Sequence, residues 1–243
     1  MNARQRWKGY HEVVLSVLIP AYDEGPTIEA VVDRLSEVPI KLEIIAVNDG
    51  SSDDTGARLD ALQKSGKIHQ VVHHPKNRGK GAAIRSAIAA ATGDVMVVQD
   101  ADLEYDPAEL PELMAPILDG RADAVFGARF LGGPHRVLYF WHSVGNGFLT
   151  LLSNMLTDLN LTDMETCRKM VRADVMKRLP LTSDRFGFEP ELTARLAQAK
   201  ARIYEMQISY SGRTYAEGKK IGWKDGVAAF WHILRFNLVR PRS

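Results

Sequence analysis

Residues 95–107, VMVVQDADLEYDP, run an apolar stretch straight into four acids, Asp100, Asp102, Glu104 and Asp106. At alternate positions on a strand end, the side chains of Asp100 and Asp102 share one face while Ala101 points away. Two carboxylates that close repel each other unless a cation lies between them or one is protonated. Hard oxygen donors in low number suit Mg2+ or Mn2+, which keeps waters and borrows further ligands from a diphosphate. A lone Asp-x-Asp is common in surface turns, but the preceding VMVVQ argues against a casual turn and for a metal site. Asp106 precedes Pro107 and reads as the N-cap of the helix that follows.

Two other stretches carry comparable chemistry. NDGSSDDT at 48–55 has turn residues followed by helix-capping residues. Capping leaves Asp49 unexplained: at a strand end, its carboxylate can accept a hydrogen bond from a nucleotide base or ribose. NRGKGAAIRSAI at 77–88 sets two glycines and two cations ahead of an Ala-rich helix, so that backbone N–H groups and Lys80 approach an anion. It lacks the GxxxxGK[ST] spacing of a P-loop. A solvated basic turn is the plainer reading; the acidic strand ends nearby favour a phosphate-facing one.

The elements that position these loops follow from periodicity. Residues 13–20, 42–49, 67–74 and 94–102 read as strands, and 26–37, 53–64 and 79–91 carry apolar residues at helical spacing. Strand and helix in alternation imply right-handed crossovers and an α/β fold with a mostly parallel sheet covered on both faces. Sites in such sheets lie at the carboxyl ends of the strands, and three of the four strand ends here are loaded. The second half is less regular. It reads as a helix through FWHSVGNGFLTLLSNML, an extended piece near ETCRKMVR and a helix through PELTARLAQAK, then the loop SYSGRTYAEGKKIGW and an amphipathic segment over 223–243. No repeat or linker divides the chain, so residues 1–243 read as one domain.

Composition excludes several function classes. With 31 Lys+Arg against 30 Asp+Glu, the net charge is +1, without the global basic field of nucleic-acid binders. The single Cys167 forms no internal disulfide and, without a second cysteine or an HxxxH spacing, no zinc site; a reducing compartment fits. The N-terminus shows no signal core, and the apolar-rich stretch at 227–239 is shorter than the roughly 20 residues of a membrane span.

IPAYDEG, VNDGSSDDT, NRGKGAAIR and QDADLEYDP, in this order, resemble the family-2 inverting glycosyltransferases of the GT-A fold. FGARF, GFEPELTARLA and YSGRTYAEGKKIGWKDG narrow the likeness to enzymes similar to dolichol-phosphate mannose synthase and polyprenyl-phosphate glycosyltransferases, from about residue 13 to 226. The resemblance implies that Pro20, Ala21, Tyr22, Glu24 and Asp49 line the nucleotide-sugar pocket, with Lys80, Asp100 and Ala101. It implies that Asp100 and Asp102 hold the Mg2+ or Mn2+ under the donor diphosphate. Some relatives place a Gln ligand where this chain has Glu104, so Glu104 stays open as a third ligand. Arg129 and Arg213 match positions that grip the acceptor phosphate, a role suited to guanidinium forks, with Lys219 and Lys220 nearby.

The activity so implied is transfer of a hexose from GDP-mannose or UDP-glucose to a polyprenyl or dolichyl phosphate, with inversion. A phosphate is already anionic at neutral pH, so the demand for a general base falls away. Positioning and charge remain, carried by Asp102, Arg129 and Arg213. Residues 200–243 hold nine cations and three acids, interleaved with Trp223, Phe230, Trp231 and Phe236, as in interfacial helices. A peripheral position at the cytoplasmic face of a membrane is expected, with a membrane-anchored subunit as a further partner. A helix packed on the domain is the plainer reading of that segment. A non-lipid acceptor and a sugar nucleotidyltransferase are the competing functions.

Overall fold

The computed structural model describes residues 12–132, 134–137, 139–214 and 222–239. Its first half is the expected alternation: β1 (Leu15–Ala21), α1 (Gly25–Ser36), β2 (Leu42–Asn48), α2 (Thr55–Lys64), β3 (Gln70–His73), α3 (Lys80–Ala90) and β4 (Val95–Val98). A 3-10 turn at Pro107–Glu109, begun by Asp106 accepting from Ala108 N at 3.0 Å, leads into α4 (Leu110–Leu118). Then follow β5 (Ala124–Ala128), α5 (Phe140–Thr157), β6 (Lys169–Arg172), α6 (Ala173–Met176), α7 (Phe188–Gln198), β7 (Ile203–Gln207) and α8 (Trp223–Leu238).

The seven strands form one sheet in the order β3-β2-β1-β4-β6-β5-β7. β6 is antiparallel to both of its neighbours, and every other pairing is parallel. β1 is central and nearly all buried because both of its faces are covered. Leu15, Val17 and Ile19 meet Ile28, Val32 and Leu35 of α1, whereas Leu18 points to the other layer with Ala83, Ile84 and Ala87 of α3. Each such side chain contributes roughly 1.5–3 kcal/mol by burial. The ends of β1, β2 and β4 consequently open on one rim.

One expectation needs correction. The strand expected over 94–102 stops at Val98, with Gln99 N still bonding Leu18 O at 3.0 Å. Beyond it the chain bends: Asp102 Oδ1 accepts from Glu104 N at 3.1 Å, a local bond that replaces a ladder bond. Strand pleating therefore does not set the directions of Asp100 and Asp102. β5 and β7, five residues each, were not anticipated, being too short to show a period.

Candidate active site

The rim is assembled by side chains that tie the loops to one another. Asp23 Oδ1 accepts from Ser52 N at 2.7 Å, and Thr55 Oγ1 accepts from Glu24 N at 2.9 Å. Asp53, one residue before the N-cap of α2, accepts from Thr55 N at 2.9 Å and also from Gly25 N at 3.1 Å, so one carboxylate ties two helix starts. Gly50, at φ +70°, makes the turn that NDG predicts; a Cβ there would lie 2.4 Å from the Lys76 backbone. Pro20 and Ala21 end β1, followed by the half-exposed Tyr22 and by Glu24 at the start of α1.

Asp49 is 2% exposed, and its oxygens accept from His74 Nδ1 at 2.6 Å, Arg78 N at 3.0 Å and Gly79 N at 2.7 Å. The carboxylate expected to meet a nucleotide also holds the 77–79 turn. The glycines of that turn serve a close approach within the protein: at Gly79 (φ +98°) and Gly81 a Cβ would lie 2.3 Å from the carbonyl oxygens of Asp184 and Ser183.

Lys80 leaves the first turn of α3 and reaches an anion, but one supplied by the chain. Its Nζ lies 2.7 Å from Asp100 Oδ1, 3.2 Å from Glu189 Oε1 and 2.9 Å from Cys167 Sγ. Burial opposes charge on Asp100, yet the attraction of Lys80 prevails and holds its carboxyl below the usual range.

Asp102 faces a different cation. Arg213 Nη2 lies 2.8 Å from Asp102 Oδ2, with Glu24 Oε2 3.5 Å from Nη1 and Glu104 Oε1 3.4 Å from Nε. Burial, then the charges of Asp100 and Glu104, push the Asp102 carboxyl up to about 7 against the pull of Arg213. Arg129 is engaged elsewhere: it grips Asp163 with two parallel bonds of 2.7 and 2.8 Å, and its guanidinium lies 5.2 Å above the Tyr210 ring. Lys219 and Lys220 lie outside the described residues.

Asp100, Asp102, Glu104, Lys80, Glu24 and Arg213 are therefore brought together, while Arg129 stands one ring away, beyond Tyr210. Among the described residues no three His, Cys, Asp or Glu side chains converge into a ready metal cage, because Asp100 turns to Lys80 while Asp102 and Glu104 share Arg213. The donor set nevertheless fits a hard divalent cation: oxygen ligands only, and an acid cluster whose own cations leave Asp102 hard to ionise. Sequence reasoning missed Glu189, 4% exposed on α7, and the pairing of Asp163 with Arg129. The signal for Glu189 was an acid on the apolar face of GFEPELTARLA.

Comparison with known proteins agrees with this architecture. The chain matches Glycosyl transferase family 2 over residues 16–179, more than half its length. An undecaprenyl-phosphate mannosyltransferase of Micrococcus luteus is 28% identical over 246 residues, spanning 91% of this chain and 97% of that protein. A dodecaprenyl-phosphate galacturonate synthase of Rhizobium johnstonii is 26% identical over 84% of this chain and 61% of its own length. Among solved structures, glucosyl-3-phosphoglycerate synthase from Mycobacterium tuberculosis, in complex with Mn2+, UDP and glucosyl-3-phosphoglycerate, superposes with a TM-score of 0.72. It is 23% identical and the match covers 95% of this chain and 82% of that one, a likeness that carries the fold. With its GT-A sheet and its acid-loaded rim, the chain belongs to the family 2 glycosyltransferases.

Proposed function

We propose that the protein transfers a hexose from a nucleotide-diphosphate sugar to a polyprenyl phosphate, with inversion at the anomeric carbon. The observation that carries this reading is the strand-end cluster of Asp100 and Asp102 flanked by Lys80 and Arg213, a place where cations and anions alternate within bonding distance. Relatives whose names specify undecaprenyl and dodecaprenyl phosphates support the acceptor class.

In this mechanism Asp100 and Asp102 hold a Mg2+ or Mn2+ ion, which when bound supplies charge stabilisation to the leaving diphosphate. Pro20, Ala21, Tyr22 and Glu24 border the nucleotide, and Ala101 passes beneath it, its carbonyl fixed by Thr27 Oγ1 at 2.8 Å. Asp49 acts by holding the 77–79 turn, and Lys80 steadies Asp100. The acceptor phosphate attacks without a general base because its oxygen is already anionic. Arg213, with Lys219 and Lys220, offsets the repulsion between two anionic reactants, while Arg129 frames the acceptor side through Tyr210.

A lipid acceptor also accounts for an exposed apolar face. α5 contains no Asp, Glu, Lys or Arg, and it exposes Phe140, Trp141, Phe148, Leu151 and Met155, with Trp141 77% exposed. α8 lies beside it, Phe148 stacking on Phe230 at 6.3 Å, and exposes Trp231. The opposite side of α8 packs on the domain through Ala229, Ile233 and Phe236. No helix among the described residues is long and apolar enough to cross a membrane. We place this face against the cytoplasmic leaflet, where a membrane-anchored subunit also docks.

The test is a product assay with labelled GDP-mannose and UDP-glucose, Mn2+ or Mg2+, and undecaprenyl phosphate in vesicles. Label should enter the solvent-extractable lipid and stay in water when EDTA is present. Transfer only to a water-soluble acceptor such as 3-phosphoglycerate would move the protein to the non-lipid class. In a parallel reaction with UTP or GTP and a hexose 1-phosphate, formation of the nucleotide sugar with release of pyrophosphate would make it a nucleotidyltransferase.

A further inference from the structure

Glu104 does more at the rim than its position two residues after Asp102 foretells. Its Oε1 accepts from Arg213 N at 2.8 Å, its Oε2 accepts from Tyr210 OH at 2.9 Å, and its carbonyl accepts from Ser211 N at 2.9 Å. Its own N–H donates to Asp102 Oδ1 at 3.1 Å. Both carboxylate oxygens are thus committed to the 209–214 loop, and the residue links that loop to the acid cluster by side chain and backbone alike.

The consequence is where Arg213 ends up. One guanidinium faces three carboxylates, those of Glu24, Asp102 and Glu104, at 3.5, 2.8 and 3.4 Å. One guanidinium among three carboxylates leaves an excess of acidic oxygens, which a divalent ion matches better than a single guanidinium. Arg213 Nη2 also occupies Asp102 Oδ2, an oxygen a metal would need, and a guanidinium next to a divalent cation is repelled.

We infer that Arg213 is a built-in stand-in for the divalent cation, and that Glu104 is the positioning residue that holds it over Asp102 instead of a third metal ligand. The inference rests on the reading of Asp102 as a metal ligand. Cation and Arg213 compete for the same carboxylate oxygen, and this competition is reciprocal. Loading the cation frees the guanidinium for an anion at the same rim; withdrawing the guanidinium makes the cation bind more tightly. Glu104 sets the balance by tethering the loop, so losing its charge loosens the stand-in without removing a ligand.

The experiment titrates Mn2+ into the full chain without nucleotide, following free Mn2+ by electron paramagnetic resonance. Wild type is compared with Arg213→Ala, Arg213→Lys, Glu104→Gln and Asp102→Ala, each checked for folding by circular dichroism. Arg213→Ala should bind Mn2+ about tenfold more tightly than wild type, within the usual range of coupling between competing ligands. Arg213→Lys should return toward wild type, because it restores a cation. Glu104→Gln should bind as tightly as wild type or more so. Equal or weaker binding by Arg213→Ala would overturn the stand-in role, and a tenfold loss in Glu104→Gln would make Glu104 a ligand after all. Asp102→Ala separates the two levels: if it binds Mn2+ like wild type, the metal assignment fails. If it loses binding while Arg213→Ala stays at wild-type affinity, only the stand-in fails.

Discussion

Asp100 and Asp102 stand two residues apart, yet one is paired with a lysine from the first turn of α3 and the other with an arginine from the 209–214 loop. Lys80 is wedged among Asp100, Glu189 and Cys167, on a helix whose packed face of alanine and isoleucine lies against β1 and β2. Arg213 hangs from a loop tied to Glu104 and, further back, to Glu109, Pro134 and Arg136, and its side chain is more exposed than that of Lys80. A cation on a packed helix has one place to be, whereas a cation on a loop can exchange. The difference divides the rim into a fixed wall and a replaceable one.

Asp102→Asn strikes the replaceable wall hardest. Under the proposed function, sugar transfer to lipid should fall by roughly 1,000-fold, about 4 kcal/mol of transition-state stabilisation. The fold should survive, since the change removes a carboxylate that its neighbours resist. Thermal melting at pH 8 should be unchanged or higher, and a large drop in melting temperature would show that Asp102 is a structural residue.

Lys80→Met probes the fixed wall, and stability is the expected casualty. It strips Asp100 and Glu189 of their shared cation in a buried setting, where losing one partner costs about 3–5 kcal/mol. At roughly 2–4 °C per kcal/mol for a chain of this size, the melting temperature should fall by about 10 °C. Arg213→Ala should change stability by less than about 1 kcal/mol, which is less than about 4 °C in melting temperature. Similar losses for both variants would erase the distinction between the walls.

The sequence made one wall more legible than the other. The four strands of the first half are short apolar runs rich in β-branched residues and the three helices between them carry a 3.6-residue period, so the loops at 21–25, 48–55 and 99–106 are set on one rim by the sequence alone. Lys80 was singled out as a cation facing an anion; that the anion is Asp100 was not readable, because side chains 20 residues apart meet only through sheet order. The same holds more strongly for Arg213 and Asp102, brought together by the loop after β7, which is tied back to Glu104. GFEPELTARLA showed helical spacing, but α7 is buried on nearly every side, so the spacing could not mark Glu189 as a partner of Lys80. Local sequence does not show that the segment at 183–184 lies against Gly79 and Gly81.

A pH slope of smaller size than the loss expected for Lys80→Met separates the two aspartates. Asp102 has a folded value of about 7 against about 3.9 in an unfolded chain. Between those values the folded state keeps a proton that the unfolded state has released, so stability declines as pH rises from about 4 to 7 and levels off above. Asp100 shifts downward, so its stabilisation is present above pH 4 and is lost as pH falls through its lowered folded value. Denaturant unfolding from pH 5 to 8 should therefore show a decline of about 1–3 kcal/mol in wild type attributable to Asp102. Asp102→Asn should lack that decline, and Arg213→Ala should steepen it, because the one cation that favours the ionised Asp102 has gone. Asp100→Asn should relieve Asp102 of a like charge and flatten the slope. If Asp102→Asn keeps the wild-type slope, the carboxyl that titrates lies elsewhere and the two walls do not differ in charge balance.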